Sequence, residues 1–112
     1  MSTDAFADRQ KGFEAKYKLD QEQEFRAQSR RNRLFGLWVA GKLGKQGTDA
    51  EAYAREVIAS DMQKPGHDDV IGKVSADLDK AGRSIAKADL EAEYVRLLAE
   101  ARGQVAAETP KG

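Results

Sequence analysis

Residues 30–38 read RRNRLFGLW, from Arg30 to Trp38. Three arginines in four positions stand directly before an apolar stretch that contains the only tryptophan of the chain. Two interpretations are open. Either this run marks the place where a solvated arm enters a folded bundle, or it forms a basic contact surface.

The composition of the whole chain fits one small helical domain. The chain has 112 residues, of which 40% are hydrophobic and 34% charged, so its core is small and its surface strongly ionic. Helix-forming residues dominate, and there are only 2 prolines. Helices that each bury a single apolar stripe suit this balance, and we therefore expect an all-α, four-helix bundle.

The charge balance and the cysteine content exclude several classes of protein. The 19 basic residues cancel the 19 acidic ones, which argues against a general attraction to nucleic acid or anionic lipid, although a local patch could still act. The chain has no cysteine, which excludes disulfides and thiolate chemistry. It also lacks the apolar core of a secretory signal and any apolar run of about 20 residues. We expect a soluble cytoplasmic protein without membrane insertion.

The first helical segment is expected from about Asp4 to Leu43. A glycine-rich stop follows it at residues 44–47. The length exceeds that of an ordinary globular helix, so we expect part of this segment to project from the bundle. The apolar density after Leu34 is typical of a buried helix end.

Three further helices are expected after that stop. Thr48 and Glu51 have the spacing of a capping box and predict the start of the second helix. The third begins near Asp68, and Ser84 is the expected cap of the fourth. Three apolar faces have helical spacing: Ala50, Tyr53, Ala54, Val57 and Ile58; Val70, Ile71, Val74 and Leu78; and Leu90, Tyr94, Leu97, Leu98, Ala101 and Val105.

The N-terminal residues differ from the rest of the first segment. From Asp4 to Lys18 the only large apolar residues are Phe6, Phe13 and Tyr17, and they can share one narrow helical stripe. A short isolated helix of this kind is marginal in water, so we expect it to fold on a partner. The predicted organisation is a flexible amphipathic arm at 1–18, a four-helix bundle at 19–108 and a disordered tail at 109–112.

Two patterns suggest ligand chemistry, but each has a simpler interpretation. Residues 41–48 read GKLGKQGT, yet a phosphate-binding loop needs Ser or Thr directly after the lysine, and Gln46 follows Lys45. A helix stop explains this stretch better. His67 is the only histidine, and the carboxylates around it lack the spacing of metal ligands. We therefore expect no metal, no cofactor and no catalytic residues, and hence not an enzyme.

The arginine run supports an alternative function. Arg30, Arg31 and Arg33 could hold phosphates while Phe35 or Trp38 stacks on bases, as in a small basic-patch nucleic-acid or nucleotide-binding helical protein. Acidic residues lie upstream on the same predicted helix, which weakens this interpretation. We favour core packing for the two aromatic residues and ion pairs with neighbouring helices for the arginines.

Several motifs of the chain resemble one family. These are FADR at 6–9, FEAKY at 13–17, RRNRLFGLW at 30–38, AEAYAREV at 50–57 and PGHDDV at 65–70. In this order and spacing the chain resembles the alphaproteobacterial F-type ATP synthase inhibitor zeta subunit family. Three positions depart from the usual pattern of that family: Gln10 stands where an acidic residue is common, Tyr17 where phenylalanine is usual, and Leu19 where histidine is common.

The resemblance implies a four-helix protein that binds the catalytic head of F-type ATP synthase and blocks ATP hydrolysis through its N-terminal helix. The implied partners are the alpha, beta and gamma subunits of the head. The implied location is cytoplasmic, peripheral to the inner membrane through the synthase, and the protein is expected to be a monomer when free. The positions that match the inhibitory element are Phe6, Asp8, Arg9, Phe13, Glu14, Lys16 and Tyr17.

The RRNRLFGLW run takes a different role under this resemblance. It would join the arm to the bundle, with Arg30, Arg31, Asn32, Arg33 and Trp38 as the junction. Besides the nucleic-acid alternative, a third hypothesis stays open, in which the chain is an assembly factor of the same synthase without inhibitory activity.

Overall fold

The computed structural model describes residues 19–63 and 67–108, and within them the chain forms four α-helices and no strand. The helices are α1 (Gln21–Lys42), α2 (Gly47–Gln63), α3 (His67–Lys80) and α4 (Lys87–Glu108). The prediction of an all-α fold with four helices is confirmed. The predicted arm at 1–18 and tail at 109–112 lie outside the described residues.

A capping box starts α1 at Gln21. The Asp20 carboxylate accepts a hydrogen bond from the backbone N–H of Gln23 at 2.8 Å, and the Gln23 side chain accepts one from the N–H of Asp20 at 3.1 Å. This reciprocal pair satisfies N–H groups that would otherwise lack partners at a helix start. The expected continuous helix from about Asp4 is therefore wrong at Leu19 and Asp20, where the chain is not helical.

A glycine turn ends α1 where the sequence predicted a helix stop. Gly44 has a φ of 81°, which favours glycine, and its N–H donates to the Gly41 carbonyl at 3.1 Å. The N–H of Lys45 donates to the Ala40 carbonyl at 2.8 Å. These two bonds form a Schellman motif, so the GKLGKQGT stretch is a helix end, as predicted, and not a phosphate loop.

The predicted capping box at Thr48 is wrong. The helix α2 already begins at Gly47, and the carbonyl that accepts from the N–H groups of Asp49 and Ala50 is that of Gln46. The Glu51 carboxylate accepts a hydrogen bond from Arg33 on α1. The Glu51 carboxylate, which the local spacing predicted to cap the helix, is thus bound in an ion pair with another helix.

The predicted cap of α4 is also wrong. Ser84 lies before the helix, which begins at Lys87, and its hydroxyl donates to the Asp79 carboxylate at the end of α3. The carbonyl of Ala86 accepts from the N–H of Leu90 at 3.0 Å. Ser84 therefore stabilises the turn between α3 and α4.

One main core joins all four helices. Its buried members are Phe35, Val39, Ala40, Tyr53, Val57, Val70, Ile71, Val74, Leu78, Leu90, Tyr94 and Leu97. The three predicted apolar faces are confirmed, since most of their residues are buried and the others are half-buried. At Gly36 a Cβ atom would lie 2.7 Å from the Cα of Ala54, so this glycine lets α1 and α2 approach closely.

A second, smaller cluster joins the start of α1 to the end of α4. Its buried members are Ala27, Ala101 and Val105, and the half-buried Leu19, Leu34 and Leu98 pack against it. The helix α1 therefore takes part in two clusters of different size.

Candidate functional site

The predicted contact residues of the inhibitory arm, from Phe6 to Tyr17, lie outside the described residues. The predicted junction residues are all in the middle and second half of α1. The described bundle begins earlier, at Leu19, which packs against the smaller cluster, and at the cap residue Asp20. The role of the arginine run as a junction stays a prediction, and its position shows that it is integral to the bundle.

Arg30 connects α1 to the end of α4. Its guanidinium donates to both oxygens of Glu108 and to the Gln104 side chain, the last at 3.3 Å. The hydrogen bond with Glu108 raises the pKa of Arg30 and lowers the pKa of Glu108. The predicted ion pairing with a neighbouring helix is confirmed here.

Arg33 connects α1 to α2. Its Nη2 donates to the Glu51 carboxylate at 2.7 Å, and both side chains remain about half exposed. This pair also fits the prediction of ion pairs between the arginines and the neighbouring helices. Arg30 and Arg33 thus point to two different helices.

Arg31 is buried in the bundle, with 8% of its surface exposed. Its guanidinium carbon lies 3.9 Å from the centre of the Tyr94 ring, and its Nε donates to the Asn32 side chain at 2.9 Å. Burial lowers the pKa of Arg31 and raises the pKa of Tyr94. This arginine is therefore part of the interior and cannot hold an external phosphate.

Asn32 is the centre of a buried polar network. Its Nδ2 donates to Asp61 on α2 at 3.0 Å, and its Oδ1 accepts from Arg31 and, at 3.4 Å, from the Tyr94 hydroxyl on α4. The network joins three helices. Sequence reasoning missed it, although Asn32 stands three positions before Phe35 on the apolar stripe, and that spacing was the available signal.

The aromatic residues of the run pack with the core, as predicted. Phe35 is fully buried, stacks on Trp38 with the ring centres 6.0 Å apart, and meets the Tyr94 ring edge-on at 5.2 Å. Trp38 is half-buried against the main core, and the Lys42 ammonium lies 5.3 Å from its ring centre. Phe35 has no surface on which a base could stack.

A second ion pair ties the start of α1 to α4. Arg102 donates to both oxygens of Glu24, from Nε at 3.0 Å and from Nη2 at 2.6 Å. This contact with Arg102 is the main cause that lowers the pKa of Glu24. No local pattern predicts this pair, because its partners are 78 positions apart in the chain.

A groove of about 590 Å³ opens between α1, α2 and α4. We call it the Phe25 groove, after the aromatic residue on its wall, which is 70% exposed. The other lining residues that matter for its chemistry are Arg26, Arg30, Arg33, Leu34 and Ile58. It combines apolar and cationic side chains with the carboxylate of Glu108, which is paired with Arg30, and it lies close to the start of α1.

The described part of the chain shows no other chemical centre. No group of three or more His, Cys, Asp or Glu side chains within it could hold a metal ion. None of its helices is long and apolar enough to cross a membrane.

Comparisons with known proteins agree with this picture. A family model described as ATPase inhibitor subunit zeta matches residues 1–104. The chain is also similar to a protein whose structure was solved by solution NMR, with a TM-score of 0.67 and 45% identity over 77% of this chain and 98% of that chain. No curated protein sequence matches the chain.

Proposed function

The chain belongs to the ATPase inhibitor subunit zeta family, and we propose that it binds the catalytic head of F-type ATP synthase and blocks ATP hydrolysis with its N-terminal helix. Membership in this family supports an inhibitor role and makes ATP synthase the partner. The observation that carries the proposal is that the family match begins at residue 1 and so includes the whole N-terminal segment.

The proposed inhibitory contacts lie before the bundle. Phe6, Phe13 and Tyr17 would bury their rings in the head, at an interface between the alpha, beta and gamma subunits. The charged neighbours would pair with polar groups around them, since buried aromatic anchors with a polar rim are typical of tight interfaces. These charged residues are Asp8, Arg9, Glu14 and Lys16.

The fold supports different roles for the N-terminal segment, which would enter the interface, and for the bundle, which would stay outside it. The capping box at Asp20 starts α1 at Gln21, and Leu19 and Asp20 are not helical. A helix wedged in an interface that changes shape in each catalytic cycle stops the cycle by obstruction. The bundle would remain outside the interface because four packed helices are too wide to follow.

This function requires no chemistry in the chain itself. We propose that the protein is not an enzyme, needs no cofactor and acts as a protein ligand, a monomer until it binds the head. Its location would be cytoplasmic, at the inner membrane only through the synthase. The nucleic-acid alternative loses its support, because Arg31 is buried and the fully buried Phe35 offers no ring face on which a base could stack.

The test compares inhibition of F-type ATPase by the full chain with inhibition by a triple variant, Phe6→Ser, Phe13→Ser and Tyr17→Ser. We expect the triple variant to lose inhibition by at least about a hundredfold, since each lost aromatic anchor costs more than about 1 kcal/mol. Val95→Ser is the control, because Val95 is an exposed apolar residue of α4.

Two outcomes would overturn the proposal. Equal inhibition by the triple variant and the wild-type chain would show that the N-terminal segment is not the inhibitory element. Binding to the synthase without any effect on hydrolysis would favour the assembly-factor hypothesis.

A further inference from the structure

We propose that the Phe25 groove docks on the outer surface of the catalytic head, on an apolar side chain flanked by carboxylates. This inference rests on the proposed function and adds a second contact, made by the bundle, to the contact made by the N-terminal segment. The two contacts have separable roles: the segment blocks the cycle, and the groove holds the bundle against the head.

The apolar part of the groove fits an apolar side chain of a partner. Phe25 is 70% exposed, and it lines the groove together with the half-buried Leu34 and Ile58. A single exposed apolar residue needs no explanation, but an aromatic ring on the wall of a concave apolar surface is a typical interface anchor. The groove therefore offers a site for one protruding apolar residue.

The cationic part of the groove selects acidic neighbours. Within the described residues, Arg26 donates a hydrogen bond to Glu22 from Nη2 only, at 3.0 Å. Arg33 likewise donates to Glu51 from Nη2 only, at 2.7 Å. A guanidinium has five N–H donors, so each has donors left for a bidentate bond to a carboxylate of the partner. Exposed ion pairs are weak, so replacing Glu22 or Glu51 as partner costs little.

The position of the groove indicates which surface it meets. Phe25 follows the cap residue Asp20 by about one and a half helical turns, or about 7 Å along the axis. The N-terminal segment therefore leaves the bundle close to the groove. If that segment enters the head, the groove is the part of the bundle that faces the mouth of the same interface.

The test uses the full chain and measures the concentration that gives half-maximal inhibition of F-type ATPase. We expect Phe25→Ala to raise this concentration about tenfold, as loss of an interface anchor does. At saturating concentration the inhibition should remain complete, because the N-terminal segment is intact. Val95→Ala is the matched control, since Val95 is 67% exposed and lies outside the groove; it should leave the concentration unchanged.

A charge reversal tests the acidic character of the partner. Arg26→Glu removes the exposed pair with Glu22 within α1 and the attraction of Arg26 for Glu108; exposed charges contribute little, so the bundle should keep its fold. We expect it to raise the half-inhibitory concentration several-fold at low salt and less at high salt, because salt screens exposed charges. An effect that does not depend on salt would overturn the acidic partner surface.

The outcomes separate this inference from the proposed function. If the wild-type chain inhibits and Phe25→Ala matches Val95→Ala, the groove contact is wrong while the proposed function stands. If the wild-type chain does not inhibit at all, both fail. If sedimentation shows a wild-type dimer that Phe25→Ala converts to a monomer, the groove binds a second copy, and the docking on the head is overturned.

Discussion

The two halves of α1 are held in the bundle by different forces. The second half places Phe35 and Val39, both fully buried, in the main core between the other helices. The first half buries only Ala27 among its apolar residues and is tied to α4 by ion pairs, of which Glu24 with Arg102 is the better enclosed. Apolar burial is non-directional and insensitive to salt, whereas the ion pairs depend on pH and ionic strength.

This difference has a functional meaning. The weakly buried half is the one that adjoins the N-terminal segment and carries the Phe25 groove. A partner surface can replace exposed ion pairs at little cost, but it cannot replace a packed ring. The second half of α1 is thus held by packing around Phe35. The first half, where we propose that the bundle meets the synthase, is held by ion pairs that a partner can replace.

The largest expected effect on stability comes from a substitution in the second half of α1. Phe35→Ala removes a fully buried ring that contacts Trp38 and Tyr94, and it should lower the free energy of unfolding by about 3–5 kcal/mol. Urea unfolding followed by circular dichroism measures this loss. Phe25→Ala, ten positions earlier on the same helix, should change stability by no more than about 0.5 kcal/mol. Similar losses in the free energy of unfolding for Phe35→Ala and Phe25→Ala would contradict the difference between the two halves of α1.

The close approach of α1 and α2 gives a smaller effect. Gly36→Ala places a Cβ atom 2.7 Å from the Ala54 backbone, so the helices must separate, and we expect a loss of about 1–3 kcal/mol in the free energy of unfolding. Gly41→Ala is the control, because no atom lies within 4 Å of its Cβ position. It should gain up to about 1 kcal/mol from helix propensity. Thermal unfolding of the two variants should therefore shift in opposite directions.

The smallest effect concerns the weakly buried half and depends on pH. Glu24→Gln should lower the free energy of unfolding by about 1 kcal/mol at neutral pH, since Gln cannot pair as an ion with Arg102. Arg102 holds the pKa of Glu24 below the ordinary value of 4.5. The stabilisation is therefore present above that value and is lost as the pH falls through the lowered pKa.

Urea unfolding at neutral pH and at about pH 3 measures this dependence. The difference between Glu24→Gln and the wild-type chain should shrink towards zero in acid. Glu22→Gln is the control in the same helical turn, because Glu22 pairs only with the exposed Arg26 of its own helix among the described residues. A constant difference for Glu24→Gln at both pH values would contradict the role of its charge.

The fold was predictable because local periodicity determines it. The stripe from Val70 to Leu78 and the stripe from Leu90 to Val105 are regular, and the structure buries them as expected. The stop at Gly44 was predictable for the same reason, since the backbone hydrogen bonds of the turn join Gly44 and Lys45 to Gly41 and Ala40.

The errors arose where a tertiary contact replaced a local one. Glu51 has the right spacing for a cap at Thr48, but Arg33 on another helix binds its carboxylate. The arginines of the run are all predicted to form ion pairs with neighbouring helices, but Arg31 is buried beside Asn32, where Tyr94 of α4 and Asp61 of α2 meet these two residues. No pattern within one helix shows which distant residues will lie beside it.

The most direct test of the central claim is site-specific photo-cross-linking of the full chain to the catalytic head of F-type ATP synthase. The photoreactive residue benzoylphenylalanine would replace Phe13, Phe25 or Val95 in three separate variants. Val95 stands about two and a half turns before Gln104, which lines the groove, so it faces the other side of α4. The account predicts cross-links to head subunits from positions 13 and 25 and none from position 95. Cross-links from position 95 with none from position 13 would contradict it.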